Sequence, residues 1–431
     1  MNARPPADAD RALRADRRSA VRGGLDREPL VPEEVVRYLL DIDRLTPRDI
    51  VQGEVSVEPI SARNRSFRVA VRDAPGLFLK QAEPRDAGAA ENLAREAGFY
   101  ARVAGTESLA SLRALLPAFV AYDEARALLT IELVAEACNA HDLDDADGPA
   151  QFPRIGALLG EALARVHAVR ADDAQARDAS DRDAKAGAAH NRDALGLESL
   201  APPWVLDLCR PVPAMLRDLS AAHLALVKQL QAAPGASEAL DALRDAWAPT
   251  TLVHRDLKWG NVLVRARAPH FVPERLWLID WEDASWGDPA WDVGSAFHSC
   301  IADAIHAAMA EHDEADGDAP APAGALRDGS PAAMREAFQR AFPRVQAELV
   351  ACWSAYADAL GLTPESALEL RARAVRSAGA RLLQSSYEWC HSSWFPPRGA
   401  VLAFQLGLNL LRAPLTDAER FLGLATGTEA R

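Results

Sequence analysis

Residues 251–294 carry two aspartates and an asparagine at the spacing that metal-assisted phosphoryl transfer requires. His254–Asn261 reads HRDLKWGN and fits the pattern H-R-D-x-x-x-x-N. In that pattern the aspartate, here Asp256, accepts the proton of an acceptor hydroxyl, and the asparagine, here Asn261, binds Mg²⁺. Lys258 lies between them, and its compact ammonium suits a point contact with phosphate. We therefore predict Asp256 and Lys258 as catalytic residues.

Two apolar segments after this loop predict a hairpin. Residues 262–264 and 276–279 are strand-like and flank a polar turn that contains proline. Such a hairpin begins at Asn261 and ends at Asp280, so it brings these two side chains together. Carboxylate and amide oxygens suit Mg²⁺, which keeps its other ligands as water and phosphate. A lone aspartate in a loop is more often a cap or turn residue, but the joint pattern favours Asn261 and Asp280 as metal ligands.

These motifs resemble those of the aminoglycoside phosphotransferase and choline kinase family, which contains small-molecule kinases. The resemblance rests on His254–Asn261, on IDWE at 279–282 and on GDPAWD at 287–292. It implies a protein-kinase-like α+β fold with a small antiparallel-sheet lobe, a mostly helical lobe and ATP between them. The sequence departs from the family at Arg255, where glycine is frequent, and at Lys258; HRDLK is more usual in protein kinases.

The two alternatives to a small-molecule kinase are a protein Ser/Thr kinase and a pseudokinase. A protein Ser/Thr kinase should show D-F-G and a later A-P-E, whereas this chain has DWE from Asp280 and a Gly-Asp-Pro only a few residues later. A pseudokinase that acts as a nucleotide-binding scaffold should lack Asp256, Asn261, Asp280 or Lys80, and all four are present. We therefore expect an ATP-dependent phosphotransferase that acts on a hydroxyl of an aminoglycoside, amino alcohol or sugar-like acceptor.

The N-terminal part predicts the nucleotide-binding lysine and its partner. Strand patterns cover about 51–60, 66–72 and 76–82, and Lys80 shares a strand face with Phe78. Lysine is rare, at four of 48 basic residues, so its presence at motif positions is informative. Glu96 lies at the edge of the apolar stripe of a helix over 91–103 and is predicted to pair with Lys80; a solvent-facing glutamate is the alternative.

The remaining nucleotide contacts rest on the resemblance. The turn 61–66 lacks a glycine-rich pattern, but relatives often carry asparagine at the position of Asn64, so Asn64 and Ser66 are expected to cover the phosphates; an ordinary hairpin turn is the alternative. Strands at about 115–120 and 128–134 complete a five-strand sheet. The resemblance places adenine against backbone around Glu132 to Val134.

Composition limits the class of partner. A formal net charge of −14 and a pI near 5.3 argue against nucleic acid and anionic membranes as partners. The sequence has no run of about 18 apolar residues, so no membrane span is predicted. Five cysteines lie far apart, which indicates reduced thiols in a cytoplasmic protein. We predict a disordered tail at 1–30, a sheet lobe at 31–133 and a helical lobe at 134–431.

The helical lobe is expected to build the acceptor site. Helices are predicted at about 155–169, with His167 packed inside, and at 292–310, 331–361, 364–391, 399–412 and 415–424. Residues 171–195 predict a surface insertion without chemistry. Residues 311–330 predict a solvated flexible loop, and the alternative is that its acid cluster steers a cationic acceptor. The wall opposite Asp256 is expected to include aromatic and acidic side chains that favour a polar or cationic acceptor, namely Tyr387, Glu388, His391 and Trp394, with Glu282 and Asp283 adding negative charge. Core packing of Trp389 and Trp394 is the alternative.

Overall fold

The structure is a computed structural model that describes residues 29–60, 64–72, 74–83, 86–143, 151–170, 197, 199–212, 219–267, 272–315, 331–391 and 393–425. The chain divides into two compact units. Unit 1 comprises Met1–Cys138 and Trp277–Ala284, and unit 2 comprises Asn139–Leu276 and Ser285–Arg431. The short segment 277–284, which carries Asp280, therefore belongs to unit 1 although it lies far along the sequence.

Unit 1 contains a five-stranded antiparallel sheet of order β1-β2-β3-β5-β4. Its strands are β1 (Val55–Ile60), β2 (Arg65–Val71), β3 (Leu77–Gln81), β4 (Phe119–Asp123) and β5 (Leu128–Glu132). Four α-helices accompany the sheet: α1 (Pro32–Asp41), α2 (Pro47–Val51), α3 (Ala87–Gly105) and α4 (Ala110–Arg113). Apolar side chains of α1 and of β2 and β3 share one buried cluster. The predicted five-strand sheet is confirmed.

Two predicted strand boundaries are wrong. The first strand begins at Val55 rather than 51, because Thr46 caps a helix with proline at its first position, α2. The run predicted as a strand from 115 becomes a strand only at Phe119. Leu115 and Leu116 are buried in the turn after α4, and a short buried apolar run has the same pattern in a turn as in a strand.

The last residue of the predicted tail, Leu30, lies within the described residues and packs in unit 1. Leu30 is 6% exposed within the unit 1 core, and its backbone N–H donates to Gln81 Oε1 at 2.9 Å. Residues 1–28 lie outside the described residues, as do the insertion at 171–195, the phosphate-loop positions 61–63 and the side chains of the acidic run 311–318.

Unit 2 is mostly helical. Its α-helices are α5 (Gln151–His167), α6 (Ala221–Ala232), α7 (Ala236–Asp245), α8 (Pro289–Ala315), α9 (Pro331–Leu360), α10 (Pro364–Glu388), α11 (Arg398–Arg412) and α12 (Leu415–Leu422). Helix α8 packs against α9 and α10, and α10 packs against α11. Helix α5 approaches α9 closely because Gly156 and Gly160 lack side chains: a Cβ at these positions would lie 2.1 Å and 2.2 Å from the carbonyl oxygens of Glu348 and Cys352.

Among the described residues, five further strands lie outside the five-stranded sheet, and β7 and β8 flank the catalytic loop in sequence. They are β6 (Ala137–Asn139), β7 (Thr251–Val253), β8 (Val262–Arg267), β9 (Val272–Leu278) and β10 (Ser285–Gly287). Strands β8 and β9 are neighbours, which confirms the predicted hairpin, and β7 pairs with β10. All five cysteines are free thiols, four of them buried, and among the described helices none is long and apolar enough to cross a membrane.

Candidate active site

The ammonium of Lys80 lies between two carboxylates in unit 1. Its Nζ is 2.7 Å from Glu96 Oε2 and 2.5 Å from Asp280 Oδ1. Strand β3 turns Lys80 toward α3, which carries Glu96, and the loop after β9 supplies Asp280. The structure thus brings together three side chains that the sequence singled out, from positions 200 residues apart.

Burial and neighbouring charges shift the pKa values of Lys80 and Glu96 in opposite directions. Burial of the Lys80 ammonium acts against its charged form, but Glu96 and Asp280 outweigh that effect and raise the pKa of Lys80. Burial raises the pKa of Glu96, and Lys80 opposes the rise. The Glu96 side chain is only 3% exposed, whereas that of Asp280 is 27% exposed. Asp280 is therefore the carboxylate of the pair with room for a further ligand.

A stacked aromatic pair anchors the segment that carries Asp280. Trp281 stacks on Phe99 of α3 with ring centroids 4.6 Å apart, and its indole Nε1 donates to Leu278 O at 2.9 Å. Asp280 has a φ of +67°, a left-handed conformation that is uncommon outside glycine and asparagine or aspartate. The buried indole holds the backbone in this conformation and so fixes the direction of the carboxylate.

The other residues predicted for nucleotide binding lie on the sheet of unit 1. Ser66 on β2 is directly opposite Lys80 on β3 and is 4% exposed, and Asn64 precedes it, partly buried. The backbone N–H of Glu132 already donates to Ala118 O at 2.8 Å. Val134 follows β5 in an irregular, partly buried segment.

Asp256 in unit 2 is the centre of a second group of predicted residues. Lys258 Nζ donates to Asp256 Oδ2 at 2.6 Å, and Asn261 Nδ2 lies 3.3 Å from the same oxygen. Asn261 Nδ2 also donates to the Asp256 carbonyl at 2.8 Å. Asp256 is therefore held by two neighbours in its own loop, with its side chain 25% exposed.

The orientation of Asn261 fits a metal ligand. Because its Nδ2 donates to Asp256, its amide oxygen faces away from that contact and can coordinate a cation. The described residues contain no cluster of three or more His, Cys, Asp or Glu side chains that could hold a metal alone. Mg²⁺ does not require such a cluster, because it binds through one or two protein oxygens and takes phosphate and water for the rest. Asn261 and Asp280 belong to different units, and their proximity stays a prediction.

A buried carboxylate supports the catalytic loop: Asp292, the last residue of the GDPAWD segment, to which the sequence alone assigned no role. Asp292 Oδ2 accepts the backbone N–H of His254 at 2.6 Å, and Oδ1 accepts that of Arg255 at 2.9 Å. Arg255 has a φ of +74°, so these bonds stabilise a strained backbone immediately before Asp256. Trp291 Nε1 adds a bond to the Arg255 carbonyl at 3.1 Å.

His167 and Tyr356 extend this support into the core. His167 Nε2 lies 3.4 Å from Asp292 Oδ2, and its Nδ1 lies 2.8 Å from the Tyr356 hydroxyl. Burial acts against the charged Asp292 carboxylate, but His167 and the backbone of His254 outweigh it and hold the pKa of Asp292 below its usual value. The prediction that His167 is packed rather than catalytic agrees with this position.

Comparison with known proteins identifies the family. Residues 56–326 match the model of the phosphotransferase enzyme family, which covers more than half of the 431 residues. The chain belongs to this family. The resemblance inferred from the catalytic loop is therefore confirmed, and so is the protein-kinase-like α+β fold class.

Solved structures of kinases are similar to this phosphotransferase at low sequence identity. Choline kinase LicA from Streptococcus pneumoniae is 14% identical with a TM-score of 0.43, over 89% of this chain and 99% of that one. Macrolide 2'-phosphotransferase MphH from Brachybacterium faecium is 17% identical with a TM-score of 0.39, over 84% and 93%. ADP-bound aminoglycoside phosphotransferase APH(2'')-Ib is 12% identical with a TM-score of 0.42, over 91% and 99%. No curated protein matches the sequence.

Two of the residues predicted for the acceptor wall, Tyr387 and His391, belong to an aromatic group at the end of α10. The ring centroid of Tyr387 lies 4.2 Å from that of His223 and 5.2 Å from that of Trp204. The ring centroids of His391 and His223 are 6.3 Å apart. Trp394 is 83% exposed, so the alternative that packed it in the core is wrong. Trp389 is partly buried against the unit 2 core.

The acidic residues predicted for that wall have other partners. Glu388 is exposed, and Gln384 Nε2 donates to its Oε1 at 2.8 Å. Asp283 and Glu282 belong to unit 1, where Arg95 lies 3.8 Å from the Asp283 carboxylate and donates to the Glu282 carbonyl at 3.1 Å. Their contribution of negative charge to an acceptor stays a prediction.

Proposed function

We propose that this phosphotransferase moves the γ-phosphate of ATP to a hydroxyl of a small molecule. The observation that carries the proposal is the environment of Asp256, a quarter-exposed carboxylate held by Lys258 and Asn261. A carboxylate fixed in this way can accept the proton of a hydroxyl as that oxygen attacks phosphorus. The family to which the chain belongs supports phosphotransfer in general. That ATP is the donor and a small molecule the acceptor is our inference from the residues.

The residues of unit 1 support nucleotide binding. Lys80 presents an ammonium held by Glu96, which suits a contact with phosphate oxygens. Ser66 and Asn64 lie on and beside the strand opposite Lys80, where we propose that they cover the phosphates. Backbone around Glu132 and Val134 would bind adenine; since the Glu132 N–H is engaged within the sheet, Val134 is our choice of donor.

Asp280 and Asn261 would hold Mg²⁺, which would neutralise negative charge on the phosphates. The residues of the chain then have separate tasks in the transfer. The hydroxyl proton moves to Asp256, the hydroxyl oxygen forms a bond to the γ-phosphorus, and the bond from that phosphorus to the ADP oxygen breaks. Lys258, half-exposed beside Asp256, would stabilise charge on the transferred phosphoryl group.

The decisive experiment is a screen for ATP consumption with aminoglycosides, amino alcohols, sugars, nucleosides and hydroxy acids, followed by mass spectrometry of the products. A product heavier by one phosphoryl group, formed by the wild type and not by Asp256→Asn, would establish the proposal. Phosphorylation of proteins but of no small molecule would favour a protein kinase. Nucleotide binding without any transfer would favour a scaffold.

Five free thiols support a cytoplasmic location.

A further inference from the structure

A buried arginine lies beside the proposed base, and no sequence motif marks it. Arg381 projects from the interior of α10, and its side chain is only 5% exposed. Its Nη2 lies 3.6 Å from Asp256 Oδ1, and its guanidinium carbon lies 5.7 Å from the centroid of the Trp291 ring. The helix and the indole hold the guanidinium in place, so its position next to Asp256 is built into unit 2.

The guanidinium of Arg381 has unused hydrogen-bonding capacity. Its Nε is buried without a hydrogen-bond partner among the described residues, and the 3.6 Å contact with Asp256 is too long for a hydrogen bond. A guanidinium carries five N–H donors in a planar fork that matches carboxylate and phosphate oxygens. Leaving the Nε donor buried and unpaired is costly. Nη2, which faces Asp256 Oδ1, is the donor of this guanidinium that a ligand oxygen beside Asp256 would meet.

The two oxygens of Asp256 face different neighbours. Oδ2 contacts Lys258 and Asn261, the residues proposed to act on phosphate and metal. Oδ1 faces Arg381. A hydroxyl that gives its proton to Oδ1 therefore lies next to the guanidinium, and the group attached to the neighbouring carbon comes within reach of its donors.

We propose that the acceptor carries an anionic oxygen group, a carboxylate or a phosphate, close to the hydroxyl that is phosphorylated, and that Arg381 binds this group. The inference rests on the proposed function and specifies its substrate class. It replaces the expectation of a cationic acceptor, because the charged side chains in contact with Asp256 in the described structure are the cations Lys258 and Arg381. They would repel an ammonium group at this position.

The substrate class is tested with pairs of acceptors that differ only in the anionic group. Glycerate is compared with glycerol, serine with ethanolamine, and glucose 6-phosphate with glucose, each by ATP consumption at fixed Mg²⁺. We expect the acidic member of at least one pair to have a kcat/KM about 10²-fold higher, the usual worth of a buried, hydrogen-bonded charge pair. The first two pairs report on a carboxylate and the third on a phosphate.

Variants of Arg381 assign the preference to its guanidinium. Arg381→Lys keeps the charge but loses the planar fork, and Arg381→Met keeps only the bulk. We expect both to raise the KM of the acidic acceptor, the methionine variant by about 10²-fold, with the KM of ATP unchanged. Arg371→Lys is the matched control, because Arg371 is equally buried on the same helix but pairs with Glu419 at 2.6 Å. Thermal melting of all three shows whether they fold.

Direct binding separates this inference from the proposed function. Calorimetry with the acid in the presence of ADP and Mg²⁺ measures binding without transfer, so acid binding that Arg381→Met abolishes would support the inference even if no phosphate moved. A preference for the neutral or cationic member of every pair would overturn it. So would an equal loss of kcat for both members of a pair in Arg381→Met, since Arg381 would then act only through Asp256. Failure of the acid to bind to the wild type would also overturn the inference.

Discussion

Asp292 accepts a 2.6 Å hydrogen bond from the backbone N–H of His254, two positions before the proposed base. Its second carboxylate oxygen accepts the N–H of Arg255 at 2.9 Å. One side chain thus holds two consecutive peptide groups, the second of which has a left-handed conformation. Asp292 is fully buried and acts on Asp256 through this backbone, so it is a positioning residue.

We expect Asp292→Asn to weaken the catalytic loop. An amide has one oxygen acceptor, so one of the two backbone N–H groups loses its partner, which costs about 1–3 kcal/mol of unfolding free energy. The melting temperature and kcat should both fall, while the affinity for nucleotide, which we propose that unit 1 binds, should change little. Tyr356→Phe removes only the hydroxyl bonded to His167 and should give a smaller loss. An Asp292→Asn enzyme with the wild-type kcat would show that the loop holds its shape without this carboxylate.

The groups of side chains that depend on local motifs could be predicted, whereas the side chains supplied by distant helices could not. Asp256, Lys258 and Asn261 lie within one short loop, and Lys80 and Glu96 follow from the alternation of a strand and the stripe of a helix. Arg381 and Tyr356 reach the site from α10 and α9, more than 90 residues beyond the loop. Helical periodicity marks which of their neighbours are apolar, but it does not tell which buried polar residue faces which partner.

Long-range contacts of the fold could not be predicted from local sequence patterns either. The five-strand sheet and most helices follow from hydrophobic periodicity, but residues 277–284 join unit 1 through contacts that periodicity does not encode. Trp281 stacks on Phe99, and the Leu278 N–H donates to Leu115 O at 2.8 Å. These are long-range tertiary contacts, and they place Asp280 beside Lys80.

Asp256→Asn should separate binding from chemistry. The substitution keeps the shape of the side chain and removes its basicity, so we expect kcat to fall by about 10²- to 10⁴-fold, the usual contribution of a positioned general base. Affinity for ATP, measured by calorimetry, should stay within a few-fold of the wild type. Retention of full activity would remove Asp256 from the role of proton acceptor.

Substitutions of the two proposed metal ligands should differ in severity. Asp280→Ala removes a negatively charged ligand and one of the two carboxylates on Lys80, so we expect Mg²⁺-dependent ATP binding to be lost. Asn261→Ala removes a neutral oxygen, so activity should persist with a higher requirement for Mg²⁺. Titration of Mg²⁺ at fixed ATP checks both. ATP binding with unchanged Mg²⁺ dependence in Asp280→Ala would place the metal elsewhere.

Stability in mild acid should depend on His298, a buried residue of α8. Its Nε2 lies 2.8 Å from Ser385 Oγ, and burial, together with the positive charge of Arg381, holds the pKa of His298 well below its usual value. The unfolded chain gains a proton at His298 below about pH 6.5, whereas the folded chain does not. The stability that the neutral ring provides is therefore present above that pH and lost as the pH falls, by up to about 1.4 kcal/mol per pH unit for one proton.

His298→Gln removes this titration while keeping a side chain that can hydrogen-bond to Ser385. Other buried groups titrate in both backgrounds: burial, with Asp303, raises the pKa of Glu348 well above its usual value, which gives a pH dependence of the opposite sign. The quantity to measure is therefore the difference in unfolding free energy between wild type and variant, from urea denaturation at pH 7, 6 and 5. We expect the advantage of the wild type to shrink as the pH falls. A difference that stays constant across this range would mean that His298 takes up its proton equally in the folded and unfolded chains.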